Sequence, residues 1–199
     1  MAGMGTKIAP WLLLLQQYYQ GRLNGLDEAR WGELLAALAQ ESDCGQADIA
    51  QGLQLMTQCD AAARRDMGFE ANRLFVGPDA PKAPPYESCY RGENPERTLM
   101  TDETLRVRDF YRRAGVELAA KNTQPDDFIA FELEFLLRLL AQETEETQAQ
   151  TRDFLREHLL VWIPNHVQEI QAHTTHPVCL GMALILQGAA EALRAEFID

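Results

Sequence analysis

Residues 125–140 read PDDFIAFELEFLLRLL. Large apolar side chains in this run fall on nearly every side of a helix, which is typical of a helix buried all round. Asp126 and Asp127 come just before it, where the helix dipole favours negative charge. Two glutamates, Glu132 and Glu134, interrupt the apolar surface. The stretch therefore predicts the central helix of an all-α fold.

Apolar residues recur at helical spacing on both sides of this segment, and no segment alternates with the period of a strand. We predict one all-α globular domain of about eight or nine helices spanning residues 1–199. It divides into an N-terminal helical group, 1–120, a hinge, 121–125, and a C-terminal helical group, 126–199. The other predicted helices cover residues 11–19, 31–38, 49–63, 102–114, 154–163 and 178–197, and the polar tract 143–150 is predicted to be a solvated turn or helix end.

Composition limits the possible partners. The net charge is -12 and the isoelectric point is near 4.8, so nucleic acid and anionic membranes would be repelled. The apolar run Ile8–Leu15 is too short to span a bilayer, and the glutamines and tyrosines after it do not fit a signal-peptide cleavage site. The four cysteines include no CxxC pair, so neither a zinc knuckle nor a redox pair is expected. A reduced, cytoplasmic protein without stable membrane insertion is predicted.

Residues 69–96 are richer in proline and glycine than the rest of the chain and still contain large aromatic residues. Prolines and glycines exclude a long helix there, while the large aromatic residues need a surface to bury against. The segment is therefore predicted to be an ordered loop packed on the helices, of the kind that often carries function.

No catalytic signature is present: GxSxG, P-loop, HExxH and GxGxxG motifs are all missing from the sequence, so enzymatic activity and nucleotide binding lose their usual support. No cofactor is expected. His166, Glu169 and His173 would share one face of a helix, which leaves a metal-binding protein or enzyme as an alternative. The competing interpretation places these histidines on the surface of an amphipathic helix.

Four blocks in order carry a specific resemblance. They read NRLFVGP at 72–78, PPYESCY at 84–90, YRRAG at 111–115 and PDDFIAFELEFL at 125–136. Together they resemble the TorD/DmsD/NarJ family of molybdoenzyme maturation chaperones. The resemblance implies an all-helical fold and a chaperone that binds the twin-arginine signal peptide, the apo form, or both, of a molybdopterin-containing oxidoreductase before its export. One difference is Phe128, which stands where family members frequently have histidine.

The resemblance also implies a peptide-binding region. Physical chemistry agrees, because a peptide with two guanidinium groups and an apolar stretch needs carboxylates beside an aromatic groove. In the alternative interpretation, Tyr86 and Tyr90 only anchor the loop and an aspartate only caps a helix. Glu132 is expected to be structural and to need a hydrogen-bond partner. The predicted peptide-binding residues are Leu74, Phe75, Pro85, Tyr86, Glu87, Ser88, Tyr90, Asp126 and Asp127.

The connection at 122–125 lies between the two helical groups. A short hinge there would allow two chains to exchange their C-terminal helices, so a monomer or a domain-swapped dimer is expected.

Overall fold

The computed structural model describes residues 4–41, 45–92, 94, 96–118, 123–142 and 144–199, with side chains from residue 7 onward. Within these ranges the chain is helical and contains no strand, which confirms the all-α prediction. Cys44 and residues 119–122, which include the first two positions of the predicted hinge 121–125, lie outside the described residues. The α-helices are α1 Met4–Tyr19, α2 Glu28–Gln40, α3 Ala47–Gln58, α4 Ala61–Phe75, α5 Asp102–Arg113, α6 Ile129–Leu140, α7 Glu145–Phe154, α8 Leu160–His173 and α9 Pro177–Phe197.

Side-chain caps fix where several helices begin. The carboxylates of Asp27 and Asp60 each accept a hydrogen bond of 2.8 Å from a backbone N–H in the first turn of α2 and α4. Thr101 caps α5, as the sequence predicts, and Thr144 forms a reciprocal capping box with Thr147 in α7. Each such cap contributes about 1 kcal/mol.

Helix α4 corrects two predictions. The third helix was expected to continue to residue 63, but it ends at Gln58, because Asp60 caps a new helix. That helix then extends through Phe75, into the segment predicted to be a loop from residue 69. Pro78 is the first proline of the segment, so nothing in the chain before it prevents a helix. The irregular loop therefore begins only at Val76.

The polar tract predicted to be a solvated turn or helix end is a helix end, since its residues from Glu145 onward form the first turns of α7. The C-terminal half differs from prediction at one other place. Pro164 does not end its helix; α7 continues through a π-helical turn, Leu155–Leu159, directly into α8. A proline cannot bond to the carbonyl four residues before it, and the wider π turn one turn earlier is a common local adjustment in such helices.

Helix α9, and not α6 as the sequence predicted, lies in the middle of the fold, against α1, α3 and α8. Helix α6 packs on α1, and Glu134 and Arg138 on its outer side are exposed. The contact of α3 with α9 is the most extensive. It is close because Gly52 faces Gly181: a Cβ atom at Gly52 would lie 2.5 Å from the carbonyl oxygen of Gly181. Among the described helices, only α9 is long and apolar enough to cross a membrane, and 67% of its most apolar window is buried inside the protein.

Helix α6 begins at Ile129, and Phe128 at its N-cap makes no side-chain cap. Asp126 and Asp127 thus lie before the helix and do not cap it, contrary to the interpretation that assigned them only that role. Their side chains bond elsewhere, and these bonds build the site described next.

Candidate functional site

The proline- and aromatic-rich loop is joined to the start of α6 by backbone hydrogen bonds. Glu87 N–H donates to the carbonyl of Asp127 at 3.1 Å, and Ile129 N–H donates to the carbonyl of Pro85 at 3.0 Å. An isolated antiparallel bridge pairs Tyr86 with Phe128. The two sequence blocks that carry the resemblance therefore meet at one junction, although 39 positions separate Ser88 from Asp127.

Asp127 is the centre of this junction. Its side chain is fully buried, and Oδ2 accepts a hydrogen bond of 2.8 Å from the N–H of Ser88. Its second oxygen, Oδ1, and the Ser88 hydroxyl are buried with no hydrogen-bond partner among the described residues. A buried polar atom without a partner costs about 1–3 kcal/mol, a cost that a bound donor would remove. The junction therefore holds unused capacity to bind a donor.

Tyr86 lies beside Asp127 and is half-buried. Its hydroxyl donates to Gln124 Oε1 at 2.8 Å, and its ring lies 5.5 Å from the ring of Phe128. Burial, together with the charge of Asp127, raises the pKa of the Tyr86 hydroxyl, so it stays a donor. The Tyr86–Gln124 bond is exposed to solvent and can exchange with water.

A buried acid–base cluster lies behind the loop. Glu87 Oε2 lies 3.1 Å from His158 Nδ1, and Glu87 Oε1 lies 3.4 Å from Arg91 Nη1. The Trp162 indole N–H donates to Glu132 Oε2 at 3.1 Å, which meets the expectation that Glu132 needs a hydrogen-bond partner. Burial, and then the charge of Glu87, raises the pKa of Glu132 well above its ordinary value. Burial also raises the pKa of Glu87, but His158 and Arg91 oppose this rise. We infer that Glu132, which has no such cation beside it among the described residues, is the neutral partner and that Glu87 carries the charge facing His158 and Arg91.

Asp126 points away from Asp127. Its Oδ2 accepts a hydrogen bond of 2.9 Å from Arg108 Nε of α5, and its carbonyl accepts one of 3.3 Å from the Tyr111 hydroxyl. Hydrogen bonding to Asp126 raises the pKa of Arg108, so this ion pair stays charged. The YRRAG block thus contributes Tyr111 as a support beneath the start of α6.

The remaining predicted site residues belong to a second, aromatic group. Tyr90 stacks on Trp162 at 5.5 Å, and its hydroxyl lies 3.0 Å from His166 Nδ1. The Tyr19 hydroxyl lies 2.8 Å from the other ring nitrogen, Nε2, and Phe75 packs against both Tyr19 and His166. Leu74 and Phe75 are buried at the end of α4, so this group anchors the loop to α1, α4 and α8.

The geometry does not support the metal alternative. His166 is fully buried with both ring nitrogens bonded to tyrosines, so it is neither a metal ligand nor a surface histidine. Glu169 forms an ion pair with Arg97, and His173 Nδ1 lies 2.9 Å from the carbonyl of Glu169. In the part of the chain that the structure describes, no three His, Cys, Asp or Glu side chains form a group able to hold a metal.

We expect His166 to remain neutral well into the acidic range. Burial, and then the charge of Arg97, lowers its pKa to about 3. NMR of the imidazole ring should therefore show no titration of His166 between pH 7 and pH 5, with the signal assigned from a His166→Gln variant. A midpoint near pH 6.5, the ordinary value for histidine, would contradict the buried arrangement.

Sequence reasoning missed the residues that hold the carboxylates. His158 binds Glu87 from 71 positions away and Arg108 binds Asp126 from α5, while Arg91 follows Glu87 by only four residues. The one signal in the sequence was the presence of carboxylates beside apolar helical segments, because a buried carboxylate needs a partner. That signal indicates that each carboxylate has a partner but does not identify which residue the partner is.

Comparison with known proteins agrees with the fold and with the resemblance. Over 105 residues the chain is 30% identical to the Tat proofreading chaperone DmsD of Salmonella typhi, covering 53% of this chain and 49% of that protein. It is 29% identical to the perchlorate reductase assembly chaperone protein of Dechloromonas aromatica, covering 44% and 43% of the two chains. It is 28% identical to the chaperone protein TorD of Aliivibrio salmonicida, covering 58% and 55%. The chain spans about half the length of the curated relatives it matches.

The crystal structure of a redox enzyme maturation protein from Archaeoglobus fulgidus superposes with a TM-score of 0.54 and 19% identity, covering 90% of this chain and 91% of that one. It shares the fold. The model of the nitrate reductase delta subunit family matches residues 24–168, which include the loop, the start of α6 and the acid–base cluster. The chain therefore belongs to the nitrate reductase delta subunit family, which confirms the resemblance to the TorD and DmsD chaperones.

Proposed function

We propose that this protein is a cytoplasmic chaperone, not a catalyst, which binds the twin-arginine signal peptide, the apo form, or both, of a molybdopterin-containing oxidoreductase before export. The observation that carries the proposal is the junction at Asp127, where a buried carboxylate oxygen lacks a partner beneath a half-exposed tyrosine. The names of the relatives, proofreading and assembly chaperones, support the same class of function.

The three carboxylates predicted to receive the peptide have different roles in this proposal. Glu87 is engaged by His158 and Arg91, and Asp126 by Arg108, so both position the loop without meeting the peptide. Asp127 Oδ1 is the free acceptor. A guanidinium group reaches it when the Tyr86 side chain turns outward and gives up its bond to Gln124. An ionised pair of this kind is about twice as strong as a neutral hydrogen bond.

The apolar part of the peptide needs an exposed apolar surface nearby. Leu74 and Phe75 are buried, but Val76 directly follows them and is 68% exposed, and Phe69 on the same helix is 80% exposed. Large apolar side chains this exposed favour a docking role when they lie close to a recognition site. We therefore assign the end of α4 to the apolar stretch and the Asp127 junction to the arginines.

The direct test is calorimetry with a synthetic twin-arginine signal peptide from a molybdoenzyme encoded beside this chain. We expect binding to weaken by about tenfold or more in an Asp127→Asn variant, equivalent to at least about 1.4 kcal/mol. Asparagine keeps an oxygen for the N–H of Ser88 and removes only the charge, so the melting temperature should change little.

Asp153→Asn is the matched control, because it removes one exposed carboxylate from α7, away from the junction. It should bind as the wild type does. A second control is the same peptide with both arginines replaced by alanine. Equal affinity for the two peptides, or no binding of any such peptide by the wild type, would rule out the proposal.

A further inference from the structure

A groove of about 820 Å³ lies between α5 and the π turn that leads into α8, apart from the Asp127 junction. Its walls carry five guanidinium groups and two carboxylates, together with the exposed apolar side chain of Val161. The arginines are Arg91, Arg106, Arg112, Arg113 and Arg156, and the carboxylates are Asp109 and Glu157.

This concentration of positive charge is opposite in sign to the protein as a whole. The chain has 18 lysines and arginines against 30 aspartates and glutamates, and five of those 18 line this one groove. Two of the five arginines are already paired within the protein, Arg91 with Glu87 and Glu103, and Arg106 with Glu103. The charges of the groove that are left open to a further anion are those of Arg112, Arg113 and Arg156. The groove can thus attract a negatively charged partner, although the protein as a whole is acidic.

Several of these arginines are available to a ligand. Arg112 meets Asp109 only at 3.6 Å, in an exposed pair of the kind worth little. Arg113 lies over the face of Phe110 at 5.1 Å, which orients the guanidinium, and no ion pair to Arg113 is found within the described ranges. Arg156 is exposed and forms no ion pair within the described residues.

The arrangement fits an extended acidic segment better than a compact polyphosphate. A polyphosphate site needs donors that converge on one point, commonly with a helix N-terminus. Here Arg112 and Arg113 lie in the last turn of α5, at the negative end of its dipole, and Asp109 and Glu157 stand between the arginines. Carboxylates spaced along a peptide can meet such separated arginines, and Val161 offers a contact for an intervening apolar residue.

We propose that this arginine groove is a second docking surface, which binds an acidic segment of the partner protein. Calling that partner the client oxidoreductase rests on the proposed function; the preference for an acidic peptide does not. The groove would repel a twin-arginine signal peptide. The two surfaces would therefore bind different parts of the client: the Asp127 junction binds the signal peptide, and the arginine groove binds an acidic part of the mature protein.

The test is fluorescence anisotropy of the full chain with a labelled peptide of alternating glutamate and alanine. We expect saturable binding that weakens as salt is raised from about 50 mM to about 200 mM, because exposed charges are screened over this range. An Arg113→Glu, Arg156→Glu double variant should bind at least about tenfold more weakly. An Arg113→Gln, Arg156→Gln variant should show a smaller loss of affinity. Because it removes the two charges without reversing them, it allows the same test if the charge-reversed variant does not fold.

Arg65→Glu with Arg138→Glu is the matched control, since these exposed arginines lie on α4 and α6 and the change in net charge is the same. An equal loss of affinity in both charge-reversed variants would show that the peptide responds only to the overall charge of the protein, which would overturn the proposal. The absence of binding by the wild type would overturn it as well. Inorganic triphosphate that binds more tightly than the peptide would identify a phosphate site instead. Signal-peptide binding should be unchanged in the groove variants. If neither the wild type nor any variant binds the signal peptide while the wild type binds the acidic peptide, the proposed function is wrong but the proposal of an acidic-peptide site in the groove is supported.

Discussion

Replacing Gly52 by alanine is expected to destabilise the protein by about 3 kcal/mol, at the upper end of what added core volume usually costs. The new methyl carbon would lie 2.5 Å from the carbonyl oxygen of Gly181 and 2.7 Å from Cγ1 of Ile185. One of these atoms belongs to the backbone of α9 and cannot turn away, so α3 and α9 must separate. Urea unfolding followed by circular dichroism measures the loss.

Gly32→Ala is the control for this substitution. Gly32 also lies within a helix, but nothing in the described structure comes within 4 Å of an added Cβ atom. Alanine is favoured over glycine in helices, so this variant should gain about 0.5–1 kcal/mol. A Gly52→Ala variant as stable as the wild type would mean that α3 and α9 do not approach as closely as described.

Replacing Glu132 by glutamine is expected to stabilise the protein at pH 8, by a margin that grows as the pH rises. An unfolded glutamate loses its proton near pH 4.3, whereas burial and the charge of Glu87 raise the pKa of Glu132 in the folded state. Above pH 4.3 the folded protein therefore holds a proton that the unfolded chain has released. Its stability falls by up to about 1.4 kcal/mol per pH unit until the folded pKa is reached.

Glutamine does not titrate, and its carbonyl oxygen can still accept the hydrogen bond from Trp162. The difference in unfolding free energy between variant and wild type, measured in urea at several pH values from 5 to 8, should thus increase with pH. Glu134→Gln, on the exposed side of the same helix, is the control for removing one carboxylate. A constant difference across this range would mean that Glu132 is ionised in the folded protein.

Most of the fold could be predicted because helical periodicity is a local property. The apolar run after Asp127 identified the buried helix α6, and Thr101 identified the start of α5. The failures occurred where local signals conflict. The loop was predicted to begin at residue 69, yet α4 continues to Phe75, and a helix was predicted to end before Pro164, although the preceding π turn accommodates that proline.

The site could be predicted only in part, for a related reason. The resemblance brought the PPYESCY and PDDF blocks together, and the structure places them in contact. What it could not supply was the state of each carboxylate, because that depends on residues far away in sequence. His158 lies 71 positions from Glu87, and Arg108 reaches Asp126 from another helix. Residue type alone made three acids look equivalent, although only Asp127 retains a free buried oxygen.

The packing of α9 against α1 and α3 also bears on how two copies of this chain would combine. Exchange of the C-terminal helices about the predicted hinge at 121–125 would rebuild the same contacts between chains, so the two forms would differ little in energy. Passing from one to the other requires drawing α9 away from Gly52, which amounts to unfolding the core. Monomer and exchanged dimer would then be slowly interconverting species, with proportions set by the chain concentration during folding and not by later dilution.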